Sequence, residues 1–161
     1  VFMLYSIFMK PIYLGFVGPI ASGKGLLVDH LRKYGFTVFS LSDKVREEAR
    51  CRGLPITREI LQNLGDELRI LYGTQILAER VAFDIIGTQG NIIIDSIRNP
   101  GEIDYLRQHT TIKIVGVDAP PELRAKWYLQ RANERGEDTA DLDHFFKSSL
   151  RDSGYKESAS G

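Results

Sequence analysis

Short apolar runs alternate along the chain with longer segments in which apolar residues recur every three to four positions. The short runs are bounded by turn residues, which is typical of buried strands in a parallel sheet. They occupy residues 12–17, 36–41, 91–95 and 112–118. The periodic segments predict seven amphipathic helices. Four of them cover residues 24–34, 57–72, 120–135 and 141–152. Of the other three, one is capped by Ser42 or Asp43 and ends near residue 52, one runs from Thr74 to residue 86, and one starts at residues 99–102. Strands that alternate with helices predict an α/β fold built on a parallel sheet with right-handed crossovers.

The connection between the first strand and the first helix is a glycine-rich loop. Residues 18–24 read G-P-I-A-S-G-K, which fits the phosphate-binding pattern G-x-x-x-x-G-K in the strand-to-helix context that this pattern requires. Gly18 and Gly23 allow backbone angles that let consecutive N–H groups point at a phosphate, and the Lys24 ammonium can reach the outer phosphates. We therefore predict an ATP site, the alternative being a turn that binds nothing. The predicted ATP contacts are Gly18, Ala21, Ser22, Gly23, Lys24, Gly25 and Leu26.

The residues after the loop lysine bear on the metal. Gly25 stands where the pattern usually has the Ser or Thr that binds magnesium, and Leu26 follows it. Because Mg²⁺ keeps several waters and needs few protein ligands, Asp95 at the end of the third strand could hold it through water. In the alternative interpretation, Asp95 only caps a helix.

Composition and charge narrow the classes of function. The 161 residues, 43% hydrophobic and 26% charged, are typical of one globular domain, so we treat residues 1–161 as a single unit. The 21 basic and 21 acidic residues balance, which removes the overall positive field that nucleic acid or anionic lipid would need, and neither is an expected partner. Cys51 is the only cysteine, which excludes an internal disulfide and fits a cytoplasmic location. We expect its thiol to be buried or half-buried on a helix.

The two ends of the chain carry no recognisable targeting segment. Residues 1–9 are apolar but too short to span a bilayer, and no basic residue precedes them as in a signal peptide. We interpret them as an extension upstream of the natural start. Residues 152–161 read as a polar tail.

Four segments resemble the adenylate-kinase group of P-loop nucleoside monophosphate kinases. They are the loop at 18–25, the S-L-S-D-K-V-R run at 40–46, the D-S-I-R run at 95–98, and the two arginines of 131–135. The combination of S-L-S-D-x-x-R-E-E, L-G-D-E-L-R, D-S-I-R-N-P-G-E and G-V-D-A-P is similar to the kinase-like domain at the amino end of deoxycytidylate deaminase-like proteins. This resemblance implies a P-loop NTPase three-layer α/β/α sandwich.

The resemblance also implies roles for individual residues. Ser42, Asp43, Arg46 and Arg98 would bind the acceptor substrate. Its phosphate would lie against Arg46 and Arg98, which each follow a strand end, where α/β sheets bind ligands. The catalytic residues would be Lys24, Arg98, Arg131 and Arg135, with Arg124 on the same helical stripe. Residues 131–151 would form a lid, with Phe145, Phe146 and Leu150 gripping the body and Arg151 closing on the site. The alternative for these arginines is a solvated face paired with acidic residues.

The end of the chain departs from the group, which continues with a fifth strand and a last helix. We expect the sheet to lack them, either because the natural protein is longer and carries a further carboxyl-terminal domain, or because a partner stabilises the domain. Three functions stay open: a kinase of nucleoside or deoxynucleoside monophosphates, a non-catalytic nucleotide-binding regulatory domain, and an enzyme like dephospho-coenzyme A kinase. The S-I-R-N-P-G-E segment after Asp95 counts against the third, whose family has D-x-P-L-L-x-E there.

Overall fold

The structure is a computed structural model that describes the backbone of residues 10–135 and 141–152, and the side chains of 10–131 and 141–150. Several expectations concern residues outside this range. They are the upstream extension at 1–9, the loop at 136–140, most of the tail at 152–161, and the side chains of Arg135 and Arg151.

Four parallel strands form one sheet in the order β2-β3-β1-β4. Their bounds are β1 Tyr13–Val17, β2 Thr37–Ser40, β3 Ile92–Ile97 and β4 Lys113–Gly116. Because the strands are parallel, their carboxyl ends meet at one edge of the sheet, where ligands bind in open α/β folds. The glycine-rich loop, Ser40 and the segment after β3 all lie at this edge.

Seven helices fall within the described residues and cover both faces of the sheet. Their bounds are α1 Lys24–Arg32, α2 Leu41–Cys51, α3 Arg58–Tyr72, α4 Ile76–Ile85, α5 Pro100–His109, α6 Pro121–Arg135 and α7 Leu142–Asp152. On one face, Ile92 and Ile94 of β3 pack against α2 to α5; on the other, Ile93 packs near Val28 of α1. The predicted three-layer α/β architecture is confirmed.

Two helix starts differ from the prediction. Helix α2 begins at Leu41 with Ser40 at its N-cap position, so Ser42 and Asp43 lie inside its first turn and do not cap it. Helix α4 begins at Ile76, and Thr74 is not its cap. A methyl group built on Gly101 would overlap the Thr74 hydroxyl, so Thr74 instead packs against the start of α5.

The third strand does not end at Asp95 as predicted, but continues to Ile97. It does so through an irregularity opposite Gly15 and Val17, where Ser96 takes a left-handed backbone angle of φ 65°. The apolar run that predicts β3 ends before Asp95 and Ser96. These two polar residues hide from the pattern both the irregularity and the last residues of the strand.

The expectation for Cys51 is also wrong, since this residue is exposed. Leu41, Val45 and Ala49 turn one side of α2 to the core, and Cys51 lies two residues beyond Ala49, on the opposite side of the helix. Within the described parts of the chain, no helix combines the length and the apolar character that crossing a membrane requires.

Two ion pairs fasten α2 to α4. Lys44 pairs with Asp84, and Oε2 of Glu48 accepts a hydrogen bond of 2.8 Å from Arg80. The hydrogen bonds from Arg80 and Arg52 hold the pKa of Glu48 below its ordinary value. Burial lowers the pKa of Lys44, but the carboxylates of Asp84 and Glu47 together outweigh burial, and the pKa is raised.

The lowered pKa of Glu48 predicts a pH-dependent contribution to stability. A carboxylate whose pKa is depressed in the folded state stabilises the protein above its unfolded pKa, and this contribution is lost as the pH falls through the folded pKa. Glu48→Gln should therefore lower the free energy of unfolding at pH 7, and the gap to the wild type should narrow below pH 4.5, the ordinary value for glutamate. Urea unfolding at several pH values measures this gap. The exposed Asp104→Asn is the control, and a gap for Glu48→Gln that stays constant down to pH 3 would contradict the prediction.

Candidate functional site

The loop between β1 and α1 has the backbone shape of an anion-binding turn. Gly18, Ala21 and Gly23 all have positive φ, at 146°, 56° and 90°. The N–H of Ser22 donates to the carbonyl oxygen of Pro19 at 3.3 Å, which closes the turn. Left-handed residues within a turn make successive N–H groups converge on one concavity, and helix α1 begins at its edge, at Lys24.

Gly18 is required by its surroundings as well as by its angle. A methyl group built there would overlap the carbonyl oxygen of Val117, which follows β4. Gly25 is the opposite case, because a methyl group built on it would meet no atom within 4 Å. The loop therefore tolerates no side chain where it leaves the sheet but has open space at the first turn of α1.

The ammonium of Lys24 lies over this loop. Its Nζ donates to the carbonyl oxygens of Gly18 at 2.7 Å and Pro19 at 2.8 Å, and to Oγ of the buried Ser22 at 3.2 Å. These bonds hold a positive charge at the same end of α1 that carries the positive end of the helix dipole. Both charges favour an anion at the loop.

Asp95 provides the anionic side of the site. Its Oδ1 is buried without a hydrogen-bond partner among the described residues, while Oδ2 accepts from Ser96 Oγ at 3.4 Å. A buried carboxylate oxygen without a partner is costly, and it is a ligand that Mg²⁺ prefers, directly or through water. The donor set therefore fits magnesium. Position 25 lacks the usual hydroxyl ligand only because its residue is glycine, since the space around it would hold a side chain.

Three serine hydroxyls meet beside Asp95 at the ends of β2 and β3. Ser40 Oγ lies 2.9 Å from Ser42 Oγ and 3.2 Å from Ser96 Oγ, and the latter two are 3.3 Å apart. Arg46 donates to Ser42 Oγ at 3.0 Å and to Asp43 at 3.1 Å. The structure thus brings the predicted Ser42, Asp43 and Arg46 together.

Sequence reasoning missed Ser40 and Ser96 as site residues. Ser40 stood in the predicted strand end and could have been found from its position at the carboxyl edge. Ser96 could not have been found in this way, because its contacts with the other serines depend on the irregularity in β3, which no sequence pattern predicts.

Arg98 lies on the exposed segment after β3, at the same edge of the sheet. Its backbone N–H donates to Oε2 of Glu102 at 2.9 Å. Glu102 is fully buried and completes a capping box with Asn99 at the start of α5, as the N-P-G-E pattern predicts.

Of the predicted arginine stripe on α6, the structure describes the side chains of Arg124 and Arg131. Arg124 donates to the carbonyl oxygens of Ala119 at 3.1 Å and Ile20 at 3.5 Å, and to Ser149 Oγ at 3.1 Å. Its side chain is only 12% exposed. Arg124 therefore joins the loop to α6 and α7, and its contact with the donor phosphates stays a prediction. Arg131 is half-buried on the same helix.

Helix α7 packs on α6 beside the loop. Phe145 is buried against Tyr128 and Ile20 of the loop, and the Tyr128 hydroxyl lies 2.6 Å from Nδ1 of His144. Phe146 is 52% exposed and Leu150 is 49% exposed, so neither is buried as the prediction requires. Phe145, the third of the predicted residues, is buried and makes the contact.

Trp127, the only tryptophan in the chain, lies next to the loop. A methyl group built on Gly23 would be 3.8 Å from Cζ3 of its ring. We therefore expect the fluorescence of Trp127 to change when a ligand binds at the loop. No group of three or more potential metal-ligating side chains occurs in the described range.

A parallel sheet with this loop after its first strand defines a P-loop α/β fold. The sequence model of the AAA domain family matches residues 17–145. A UPF0200 protein of Methanothrix thermoacetophila is 33% identical over 130 residues, which cover 80% of this chain and 71% of that protein. The chain therefore belongs to the AAA domain family and to the UPF0200 proteins.

Further relatives agree in extent. A UPF0200 protein of Methanocaldococcus jannaschii is 26% identical over 145 residues, covering 88% of this chain and 73% of that protein. Among solved structures, a gluconokinase from Sinorhizobium meliloti is similar with a TM-score of 0.49 at 13% identity, covering 88% of this chain and 74% of that one. A shikimate kinase from Bacteroides thetaiotaomicron has a TM-score of 0.43 at 12% identity, with 87% and 95% covered.

The two glycines of the loop give a matched pair of variants. Gly18→Ala would drive a methyl group into the Val117 carbonyl at an unfavourable backbone angle, so it should destabilise the protein by about 1–3 kcal/mol and weaken nucleotide binding. Gly25→Ala has open space on a helix and should be neutral or stabilising, by up to about 1 kcal/mol. Urea unfolding and Trp127 fluorescence with added ATP measure both effects. Equal destabilisation by the two variants would contradict the loop packing described here.

Proposed function

We propose that this protein transfers the γ-phosphoryl group of ATP to a nucleoside or deoxynucleoside monophosphate. The observation that carries the proposal is the Lys24 ammonium, bonded at 2.7 and 2.8 Å to the carbonyls of a loop that contains three left-handed residues. A triphosphate supplies the multiple negative charges that such a concavity favours.

On the donor side, the N–H groups from Gly18 to Leu26 would bind the phosphates of ATP. Lys24 would leave the loop carbonyls and contact the outer phosphates, which keeps its ammonium fully hydrogen-bonded. Phosphoryl transfer demands positive groups around the transferred oxygens more than covalent help from the protein. Arg131, and Arg135 next to it on α6, would supply that charge from a lid formed by residues 131–151.

On the acceptor side, Arg46 and Arg98 would bind the phosphate of the monophosphate. Both follow strand ends at the carboxyl edge, and guanidinium groups form strong charge-assisted hydrogen bonds to phosphate. Ser42 and Asp43 each accept a hydrogen bond from Arg46, so they orient its guanidinium before the acceptor arrives.

Magnesium fits this proposal through Asp95, whose buried Oδ1 would hold it by way of water. The ion would neutralise charge on the phosphate oxygens of ATP when bound. The serine hydroxyls beside Asp95 would bind the waters around it. A cytoplasmic location, where ATP and nucleoside monophosphates occur together, belongs to the same proposal.

A second candidate function is a nucleotide-binding regulatory domain without catalysis. Gly25 favours it, because a P-loop without the usual hydroxyl has a weaker hold on the metal that phosphoryl transfer needs. The test is a coupled ADP-release assay with ATP, Mg²⁺ and a panel of the common ribonucleoside and deoxyribonucleoside monophosphates, with dephospho-coenzyme A included. ADP release with a monophosphate supports the kinase; ATP binding without any ADP release supports the regulatory domain.

The lysine of the loop gives a direct prediction. Lys24→Ala should raise the dissociation constant of ATP at least about tenfold, because one charge-assisted contact to phosphate is worth roughly 1.5–3 kcal/mol. Lys33→Ala, which removes an exposed lysine just beyond the other end of α1, is the matched control and should bind ATP like the wild type. Calorimetric titration measures both. An unchanged ATP affinity in Lys24→Ala would contradict the assignment of the loop.

Replacement of Arg131 on α6 separates the two candidate functions. In a kinase, Arg131→Ala should lower kcat by about 10²-fold or more while ATP affinity changes far less, because contacts to developing charge strengthen in the transition state. In a regulatory domain, the loss would show only in affinity. Lys126→Ala removes an exposed charge from a different side of α6 and is the control.

A further inference from the structure

Glu102 is a buried carboxylate with four hydrogen bonds. Its Oε1 accepts from Nε and Nη2 of Arg69, at 3.0 and 2.8 Å. Its Oε2 accepts from the backbone N–H groups of Arg98 and Asn99, at 2.9 and 3.0 Å. The Glu102 side chain is 0% exposed.

Three of these four hydrogen bonds are not needed for the capping box at the start of α5. A capping box requires only that the side chain at the third helical position accept from the backbone of the capping residue, here Asn99. The hydrogen bond from the backbone N–H of Arg98 and the two hydrogen bonds from the Arg69 side chain are additional. A carboxylate without exposure is costly unless it is paired and fully hydrogen-bonded, so Arg69 is what allows Glu102 to be charged at this place.

Arg69 comes from another part of the chain. It lies on α3, in the L-G-D-E-L-R segment that the sequence analysis singled out and that the proposed function does not use. Its side chain is 15% exposed and also lies 3.7 Å from the Asp66 carboxylate. The pair thus connects α3 to the segment that follows β3.

The segment after β3 is held on both sides of Arg98. Before it, Ser96 has its left-handed angle, and its hydroxyl lies within 3.3 Å of Ser40 Oγ and Ser42 Oγ. Glu102 accepts hydrogen bonds from the backbone N–H groups of Arg98 itself and of Asn99, the next residue. An exposed loop residue fixed by its own backbone N–H loses little further freedom when it binds a ligand.

We propose that Glu102, charged and held by Arg69, is a positioning residue that fixes the backbone of Arg98 so that its guanidinium meets the phosphate of the acceptor. This inference rests on the proposed function. Arg69 and Glu102 touch neither substrate; they act through Arg98. Displacement of a binding group by about 1 Å can cost up to 10²-fold in rate, so the effect of loosening this segment is measurable.

The first part of the test uses Arg69→Lys and Glu102→Gln. Lysine keeps the charge but cannot form the two-pronged bond, and glutamine can accept on only one oxygen, so it cannot serve Arg69 and the backbone together. With the monophosphate that the panel assay identifies as acceptor, KM for that acceptor should rise about tenfold in each variant, whereas the dissociation constant of ATP should stay within about twofold. Glu67→Gln breaks a surface pair with Arg52 on the same helix as Arg69 and should leave both values unchanged.

The second part is a double-mutant cycle with Arg98→Ala. If Arg69 acts through Arg98, Arg69→Lys should raise the acceptor KM no further once Arg98 is alanine, because the group it positions is gone. Arg69→Lys keeps the buried charge, so it carries the test even if Glu102→Gln does not fold. Circular dichroism melting checks that each variant is folded.

The outcomes separate this inference from the proposed function. Additive effects in the cycle, or an ATP dissociation constant that rises as much as the acceptor KM, would overturn the positioning role while leaving the kinase in place. Wild-type protein that transfers no phosphoryl group to any monophosphate would overturn the proposed function and the inference with it.

Discussion

The close approach of the loop backbone to the end of β4 is the constraint on which the rest of the site depends. Gly18 leaves β1 so near the carbonyl of Val117 that no side chain fits. This packing sets where the loop turns, and the turn sets where Lys24 can reach back to the carbonyl oxygens of residues 18 and 19. The start of α1, and with it the positive end of the helix, follows from the same turn.

The other half of the site rests on the end of β3. The strand continues two residues past Asp95, and the left-handed Ser96 allows hydroxyls from β2, α2 and β3 to meet. The buried Glu102 then fixes the chain where it turns into α5. The glycine-rich loop and the polar groups that follow β2 and β3 therefore stand at one edge of the sheet because parallel strands end together there. Hydrogen bonds between buried or partly buried groups fix the position of each strand end.

The sequence was informative wherever a local pattern decides the structure. The G-x-x-x-x-G-K loop, the parallel strands and the N-P-G-E helix start could all be predicted, because glycine conformations, apolar runs and capping depend on neighbouring residues. Contacts between distant residues could not. Arg124 has the helical spacing of a phosphate-binding arginine, but Ile20 and Ser149 provide partners that no spacing predicts. Arg69 on α3 and Glu102 on α5 are 33 residues apart, and their hydrogen bond forms only in the folded chain, which no local pattern predicts.

The fate of a labelled phosphate distinguishes transfer of a phosphoryl group at this edge of the sheet from binding alone. The protein is incubated with Mg²⁺, the monophosphate panel and ATP labelled in its γ-phosphate, and the products are separated. We expect the label to appear in a nucleoside diphosphate formed from one of the monophosphates, in an amount equal to that of the ADP released. Label that stays in ATP, or that appears only as inorganic phosphate, would contradict this expectation.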